Sequence, residues 1–303
     1  MLQQYHIPVL AKETIDLLQI KPGGIYVDCT FGGGGHSRAI LEKLGAAGKL
    51  FAFDQDADAK ANLPGGDARI TFLQYNFRHI QKMLRLHKIP GVDGILADLG
   101  VSSHQFDEGA RGFSTRFADA DLDMRMDQRQ QTTAVDVIKT YSEQELHKIF
   151  ERYGEVTNSK TLAKTIVQQR QVTPVKTVND FKHAVASAVK GNPNKYFAQV
   201  FQALRIAVND EIGALEEMLQ QIPDILKKGG RAAIITFHSI EDRTVKNFFR
   251  YGSFEEPQTD SIYGTKSESP FNIITKKPIS PSTEELNENP RSRSARLRVA
   301  EKK

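Results

Sequence analysis

Apolar positions in the first hundred residues follow two alternating patterns. Short apolar runs, typical of buried strands, end at a polar residue, and apolar residues at helical spacing follow. The predicted strands lie at 25–27, 50–54, 70–75 and 92–96, and the predicted helices at 8–20, 36–44, 57–63 and 77–86. Strands that alternate with crossover helices form a parallel sheet.

The pattern changes at about residue 106, and only helical signals are found as far as residue 208. Apolar spacing that starts at Phe197 continues without a break to Ile222, which predicts one long helix. Two capping boxes precede apolar helical faces, at Ser142 with Glu145 and at Thr177 with Asp180.

The alternating pattern then returns. Strands are predicted at 231–237, 271–275 and 296–299, a helix at 241–249 and a polar loop at 262–269. The predicted fold class is therefore α/β, a Rossmann-like sheet with an inserted all-helical domain. We predict a discontinuous cofactor-binding domain of residues 1–106 and 209–303, and a substrate-recognition insert of residues 107–208.

Composition excludes several classes of protein. With 39% hydrophobic and 26% charged residues over 303 positions, the chain is typical of soluble globular proteins. Its single cysteine, Cys29, excludes a disulfide framework; we predict a packing role for it, and no metal site. Because no apolar run approaches the roughly 20 residues of a membrane span and no signal-peptide core is found, we expect a cytoplasmic protein without a membrane partner.

The net charge of +4 is unevenly distributed. Residues 148–208 carry ten Lys or Arg against three acids, and the last thirteen residues carry six cations and one acid. A basic half-insert and a basic tail suggest a polyanionic partner such as RNA. On charge alone, a solvated lysine-rich helix face is the competing interpretation.

The candidate ligand site starts where the first predicted strand ends. Asp28 is followed by four glycines at 32–35 and then by a helix, so a ligand could approach the backbone and meet a helix N-terminus. Asp54 ends the next strand 22 residues after Gly32, the distance expected for a carboxylate that binds ribose hydroxyls. The dinucleotide fingerprint fails because its third glycine falls on Ser37, which favours S-adenosylmethionine over NAD.

Two further strand ends carry polar residues. Asp98 follows the fourth strand, and His238 with Ser239 follows the strand at 231–237. Ligands of open α/β sheets bind at the carboxyl ends of strands, so Asp98 is a predicted site residue. A hydrolase triad is disfavoured because no G-x-S-x-G elbow surrounds Ser239.

Six ordered motifs resemble one known family across almost the whole chain. They are 30–37 (TFGGGGHS), 98–103 (DLGVSS), 122–127 (LDMRMD), 201–206 (FQALRI), 237–243 (FHSIEDR) and 289–298 (NPRSRSARLR). They resemble the bacterial ribosomal RNA small-subunit methyltransferase H (MraW) family, whose members methylate N4 of a decoding-centre cytidine with S-adenosylmethionine. The resemblance implies a class I methyltransferase sheet and cofactor contacts from Gly34, Gly35, His36, Asp54, Phe77, Asp98 and Gln105. His104, Ala110 and the pair Ala120 and Asp121 depart from the usual family pattern.

The implied reaction needs alignment and hydrogen-bond acceptors. A cytosine amine is a weak nucleophile because its lone pair is delocalised into the ring, and its N–H groups need acceptors as the nitrogen becomes cationic. Asp98 is the first candidate acceptor, either for this amine or for the methionyl amine of the cofactor. Candidates for holding the base are Ser102, Ser103 and His238.

Predicted RNA contacts are of two kinds. A base taken out of folded RNA usually stacks on an aromatic ring, for which Phe106 and Phe113 are candidates, although packing within the loop is the commoner role. The predicted phosphate contacts are Lys160, Lys164, Arg170, Lys182, Lys190 and Lys195 in the insert, and Arg291, Arg293, Arg296 and Arg298 in the tail.

Three other functions stay open from sequence. They are S-adenosylmethionine-dependent methylation of DNA or protein, NAD-dependent oxidoreduction, and RNA binding without catalysis. The basic insert disfavours a small-molecule substrate, and the acids at the strand ends disfavour a non-catalytic module. We expect small-subunit rRNA, within an assembled or nearly assembled subunit, as the partner, and the sequence also permits a homodimer.

Overall fold

Seven strands form one sheet in the computed structural model, which describes residues 8–256 and 268–303. In chain order they are β1 Ile25–Asp28, β2 Lys49–Phe53, β3 Ile70–Leu73, β4 Val92–Asp98, β5 Leu226–Thr236, β6 Phe271–Ile273 and β7 Arg296–Lys302. Their order across the sheet is β3-β2-β1-β4-β5-β7-β6; β7 is antiparallel to both neighbours, and the other pairs are parallel. The predicted α/β class with a Rossmann-like sheet is confirmed.

The described part of the chain contains twelve α-helices. In chain order they are α1 Ala11–Leu18, α2 Gly35–Lys43, α3 Ile80–Leu86, α4 Ser103–Asp107, α5 Ala134–Thr140, α6 Glu143–Arg152, α7 Ser159–Gln169, α8 Val178–Ala184, α9 Pro193–Asn209, α10 Glu211–Ile225, α11 Ser239–Tyr251 and α12 Thr283–Glu288. None of the helices in the described ranges is long and apolar enough to cross a membrane.

Residues 1–100 and 212–303 form the first of two compact units and contain the sheet. Successive side chains of a strand point to opposite faces, and both faces are buried here. Tyr26 packs in a cluster with Ile40 of α2, whereas its neighbour Val27 packs with Met218 of α10. Burial on both sides explains why the strands show up in the sequence as short apolar runs.

The order of the strands in the sheet indicates where a ligand-binding crevice lies. From β1 the chain adds β2 and β3 on one side, whereas β4 and β5 lie on the other side. The strand order therefore reverses between β1 and β4, the place where open α/β sheets bind their ligands. Asp28 ends β1 and Asp98 ends β4, so both acids lie at this crevice.

The second unit, residues 101–211, is helical and has its own core. Its two predicted capping boxes are present at the starts of α6 and α8. Leu122, Met124 and Met126, in the family motif at 122–127, are buried in this core. The Asn209 side chain holds the motif, because its Oδ1 accepts from Met126 N at 2.7 Å and its Nδ2 donates to Met124 O at 2.7 Å.

Several local predictions were wrong. The long helix predicted from Phe197 to Ile222 is broken at Asp210, whose φ of 48° is left-handed, a conformation that Asp adopts more readily than most residues. Residues 57–62 form a 3₁₀ helix and not an α-helix. The two compact units divide at residues 100/101 and 211/212, close to the boundaries predicted at 106/107 and 208/209. The polar loop predicted at 262–269 lies, except for 268 and 269, outside the described residues.

The tail arginines have unequal surroundings. Arg298 is buried and binds Asp242 of α11 through two hydrogen bonds, of 2.6 and 3.0 Å. The exposed Arg296 donates to the same carboxylate at 3.1 Å. Burial would raise the pKa of Asp242, but the hydrogen bonds from these arginines hold it below its usual range. The Arg298 guanidinium therefore joins β7 to α11, and its contact with RNA stays a prediction.

The substitution Arg298→Met tests this structural role. It leaves Asp242 buried without its bidentate partner, which should lower the free energy of unfolding by roughly 3 kcal/mol. Urea denaturation measures the loss, and Arg293→Met, at an exposed position of the same segment, is the matched control. Equal stabilities of the two variants would contradict the assignment.

Candidate active site

The glycine loop between β1 and α2 is shaped by a buried acid. Gly32 and Gly34 have φ values of 48° and 73°, which glycine adopts without strain. Asp28 Oδ1 accepts from Thr30 N at 3.0 Å, and its Oδ2 accepts from Ser37 Oγ at 2.7 Å. Asp28 is fully buried, and burial raises its pKa to about 6 despite these hydrogen bonds. This carboxyl therefore holds both ends of the loop.

Space for a ligand lies over one glycine of the loop. A Cβ built on the exposed Gly33 would meet no atom within 4 Å. By contrast, a Cβ on Gly35 would lie 3.0 Å from Pro8, and one on Gly34 3.0 Å from Phe31. Gly33, which the sequence analysis did not select, is thus the glycine most open to a ligand.

Asp54 joins the loop to the end of β2. Its Oδ2 accepts from Gly32 N at 2.7 Å, so the 22-residue spacing seen in the sequence is a direct contact. Its Oδ1 accepts from Asp56 N at 2.9 Å. Burial raises the pKa of Asp54 to about 6, although both hydrogen bonds act in the opposite direction. Each carboxylate oxygen keeps a second lone pair for a hydroxyl donor.

The end of β3 reaches the same edge of the sheet. Asn76 caps a short 3₁₀ helix that starts at Phe77, and its Nδ2 donates to Gln55 Oε1 at 2.8 Å. This bond ties the segment that carries Phe77 to the residue after Asp54. The Phe77 ring is half-buried against the core of the sheet.

His36 and Asp98 face each other across the crevice. His36 Nε2 donates to Val9 O at 3.0 Å, so in the neutral ring the lone pair lies on Nδ1. That Nδ1 lies 3.6 Å from Asp98 Oδ2. Burial lowers the pKa of His36 to about 4, partly opposed by the bond to Val9. His36 is therefore neutral at physiological pH and provides an acceptor.

Asp98 is the least satisfied polar group of the crevice. Its backbone N donates to Thr30 Oγ1 at 2.7 Å, but its Oδ1 is buried and has no hydrogen-bond partner in the described part of the chain. Burial raises the pKa of Asp98 well above its usual range. Three neighbouring carboxylates raise it further, those of Asp28, Glu241 and Glu285. With 23% of its side chain exposed, Asp98 stays accessible.

This collection of acids has an electrostatic consequence. Among the described residues, no basic side chain contributes to the pKa of Asp98 or of Asp54. Carboxyls that lack a basic partner attract a ligand with positive charge and repel an anionic one. The crevice therefore suits a sulfonium and an ammonium group, and is unfavourable to the pyrophosphate of NAD.

His238 has a different role from the predicted one. It caps α11, with Nδ1 accepting from Glu241 N at 3.3 Å, and its Nε2 lies 3.2 Å from Glu241 Oε1. Glu241 Oε2 in turn accepts from Phe237 N at 2.8 Å. Only 8% of the His238 side chain is exposed, so the structure gives it the role of a buried helix cap at the end of β5.

Other predicted site residues lie in the helical unit. Ser102 and Gln105 form the capping box of α4, and Gln105 is buried. Phe106 is half-buried. Phe113 is buried in the helical core with the Arg111 guanidinium 5.6 Å from its ring centre, which agrees with the packing role, and stacking on a base stays a prediction. The side chain of Ser103 lies outside the described part of the structure.

The predicted phosphate contacts of the insert also differ. Arg170 is half-buried and its Nη1 donates to two carbonyls at the end of α5, Ile138 O at 2.9 Å and Tyr141 O at 2.7 Å. Lys182 is half-buried, with Nζ 5.4 Å from the Phe197 ring centre. Of the six predicted contacts, the exposed ones are Lys160, Lys164, Lys190 and Lys195.

Sequence reasoning missed four residues of the crevice. Thr30 joins β1 to β4, and Gly33 leaves space for a ligand. Glu241 and Glu285 raise the pKa of Asp98. Thr30 and Glu241 lie inside family motifs and could have been selected. Glu285, which accepts from Leu10 N at 2.8 Å, carries no local signal because its place depends on contacts between distant segments.

The buried acids predict how stability depends on pH. A carboxyl with a raised pKa in the folded state stabilises the fold below its unfolded pKa, and this is lost as pH rises from about 4 through about 6. Relative to Asp28→Asn, the wild type should therefore gain roughly 1–3 kcal/mol as the pH falls from about 7 to about 4. Urea unfolding across this range measures the difference, with Asp16→Asn, at an exposed position, as control. A difference independent of pH would contradict the buried, proton-binding Asp28.

Comparisons with known proteins agree with this geometry. Residues 3–303 match the sequence model of the MraW methylase family. The ribosomal RNA small subunit methyltransferase H of Flavobacterium johnsoniae is 54% identical over 302 residues, covering 99% of this chain and 98% of that protein. The corresponding protein of Parabacteroides distasonis is 50% identical over 300 residues, covering 98% and 97%.

Among solved structures, Aeropyrum pernix fibrillarin in complex with S-adenosyl-L-methionine covers 95% of this chain and 73% of its own length, with a TM-score of 0.40 and 10% identity. A likeness at this level carries no argument about this chain. The family match and the near-complete relatives are decisive: the chain belongs to the MraW methylase family and is an S-adenosylmethionine-dependent methyltransferase.

Proposed function

We propose that the chain methylates N4 of a specific cytidine in the decoding centre of small-subunit rRNA. Relatives about half identical over nearly their whole length carry the name ribosomal RNA small subunit methyltransferase H, which supports rRNA as the substrate class. The motif resemblance supports the cytidine amine. The observation that carries the proposal is the buried Oδ1 of Asp98, an acceptor without a partner in the described structure at the end of β4.

The residues of the crevice fit the cofactor. Asp54 would accept hydrogen bonds from the ribose hydroxyls with its spare lone pairs. The space over Gly33 would accommodate the part of the cofactor that lies against the glycine loop. The neutral His36 and the carboxyl of Asp98 would bind the methionyl ammonium. When bound, the cofactor supplies a methyl group on a cationic sulfur, whose leaving group is neutral. Phe77 and Gln105 remain proposed contacts by resemblance.

Asp98 can serve the amine directly. As the nitrogen takes up the methyl group, its N–H bonds become stronger donors, and an acceptor fixed in a crevice with little water stabilises that change. Asp98 is held in place through its backbone, whose N donates to Thr30 Oγ1 at 2.7 Å. The amine must finally lose a proton, and a carboxyl with a raised pKa is suited to accept it.

The helical unit supplies the proposed rRNA docking. Its exposed lysines on α7, Lys160 and Lys164, are four residues apart and so lie on the same helix face. Lys190 and Lys195 add exposed cations before α9 and in its first turn. Arg291 and Arg293 are exposed in the tail. These residues replace the larger set predicted from sequence.

Asp54→Asn tests the cofactor site. The amide keeps the size of the carboxyl but removes its charge, so S-adenosylmethionine affinity should fall by about 1.5–3 kcal/mol, the range for hydrogen bonds to a charged group. Isothermal calorimetry measures the change, with the exposed Asp58→Asn as the control. An unchanged dissociation constant would remove Asp54 from the site.

Asp98→Ala tests the reaction and its target together. Cells that lack the gene should lose N4-methylated cytidine from small-subunit rRNA, and mass spectrometry of rRNA fragments should locate the loss in the decoding centre. Complementation with wild type should restore it, whereas Asp98→Ala should lower transfer by about 100-fold or more. A modified base found in DNA instead, or full complementation by the variant, would refute the proposal.

A further inference from the structure

We propose that one face of α3 in the sheet-containing unit is a second RNA-binding surface, which holds the sugar-phosphate backbone of the substrate. The surface, called the α3 face below, consists of Lys82, Arg85 and Leu86 of α3 together with Arg78 and His79 of the preceding 3₁₀ helix. The inference rests on the proposed function for the identity of the RNA. It adds a docking surface to the cofactor-binding unit, whereas the sequence analysis placed RNA contacts in the insert and the tail.

Charge in this region is one-sided. Residues 68–92 contain five Lys or Arg and two His but no Asp or Glu, although the whole chain has 41 basic and 37 acidic residues. Basic residues gathered along one helix are the usual electrostatic footprint of a nucleic-acid partner.

The cations line a common groove. A cavity of about 380 Å³ is bordered by all five residues of the α3 face and by Gln81 and Gln221, the latter on α10. A second cavity, of about 210 Å³, shares Gln81 and Arg85 with it. The two cavities are neighbours along α3, and an elongated pair of depressions suits an extended polymer better than a compact ligand.

Two cations of the groove, Lys82 and Arg85, are available to bind a ligand. Arg78 is held by Glu217 through hydrogen bonds of 3.0 and 2.8 Å. Lys82 and Arg85 are exposed, and neither side chain forms a hydrogen bond or an ion pair in the described ranges 8–256 and 268–303. Being three residues apart, they lie on the same helix face. Among the described residues, acids beside the groove include Glu217, the partner of Arg78, and Asp224, which accepts from Gln81 Nε2 at 3.3 Å.

The position of the face suits a role in methyl transfer. The 3₁₀ helix before α3 begins where β3 ends, and its cap residue Asn76 is bonded to Gln55, next to Asp54. The α3 face therefore starts at the rim of the cofactor crevice and extends away from it. Leu86 is 65% exposed in the same groove, and a bound ribose would cover it.

The test compares three double variants, each lacking two positive charges. Lys82→Gln/Arg85→Gln changes the α3 face, Lys160→Gln/Lys164→Gln changes the insert, and Lys12→Gln/Lys43→Gln removes exposed lysines of α1 and α2 as the control. Binding to a decoding-region rRNA fragment, and to small subunits from cells lacking the gene, is measured over a series of salt concentrations. Calorimetry with S-adenosylmethionine verifies that each variant keeps an intact cofactor site.

Loss of two phosphate contacts should reduce the slope of log affinity against log salt by about 1.4–1.8 in the α3 variant, with cofactor affinity unchanged. If the α3 variant showed the same slope as the control variant on both substrates, the proposed RNA-binding role of the α3 face would be overturned, and the face would be only solvated. Weaker binding with an unchanged slope would also overturn it, because the contact would not be to phosphate. If the wild type bound and methylated neither substrate, the proposed function itself would fail, a result distinct from the other two.

Discussion

Burial of carboxyl groups with no basic partner in the described part of the chain is the constraint on which this site depends. Asp28, Asp54 and Asp98 each lie at the carboxyl end of a parallel strand. The carboxyls of Asp28 and Asp54 accept from backbone N–H groups and a hydroxyl, whereas Asp98 Oδ1 has no hydrogen-bond partner among the described residues. These donors fix the loop but leave the carboxyls costly to ionise, which is why their pKa values are raised. A cationic ligand relieves that cost on binding. The same groups thus shape the glycine loop and select the charge of the ligand that binds there.

Much of the fold is visible in the sequence, for a physical reason. Parallel strands buried on both faces must be apolar throughout, so β1 to β5 appear as short runs between helical patterns. Two features escaped this reasoning. The break at Asp210 needs a single residue in a left-handed conformation, which leaves the apolar spacing intact. The position of β7 between β5 and β6 is set by pairing between distant segments, for which periodicity holds no information.

Only some residues of the candidate site could be predicted from the sequence. The rule that ligands bind at strand ends located Asp54 and Asp98, and the spacing to Gly32 proved to be a hydrogen bond. Resemblance to a family motif, however, does not show whether a residue has a catalytic or a structural role. The motif at 122–127 is held by Asn209 inside the helical core, and Arg298, in the last motif, neutralises a buried acid. Both roles depend on partners more than fifty residues away, and burial can only be assigned once those partners are known.

The place of β7 has a consequence for biosynthesis. In the described sheet β6 pairs with β7 alone, and β7 pairs with β5, although β6 precedes β7 in the chain. During translation β6 therefore has no sheet edge to join until β7 has emerged from the ribosome. Until then β5 presents an open edge, and Asp242 lacks the arginine that neutralises it. A nascent chain that stalls in this interval exposes an unpaired strand and a destabilised helix, features that favour aggregation and proteolysis.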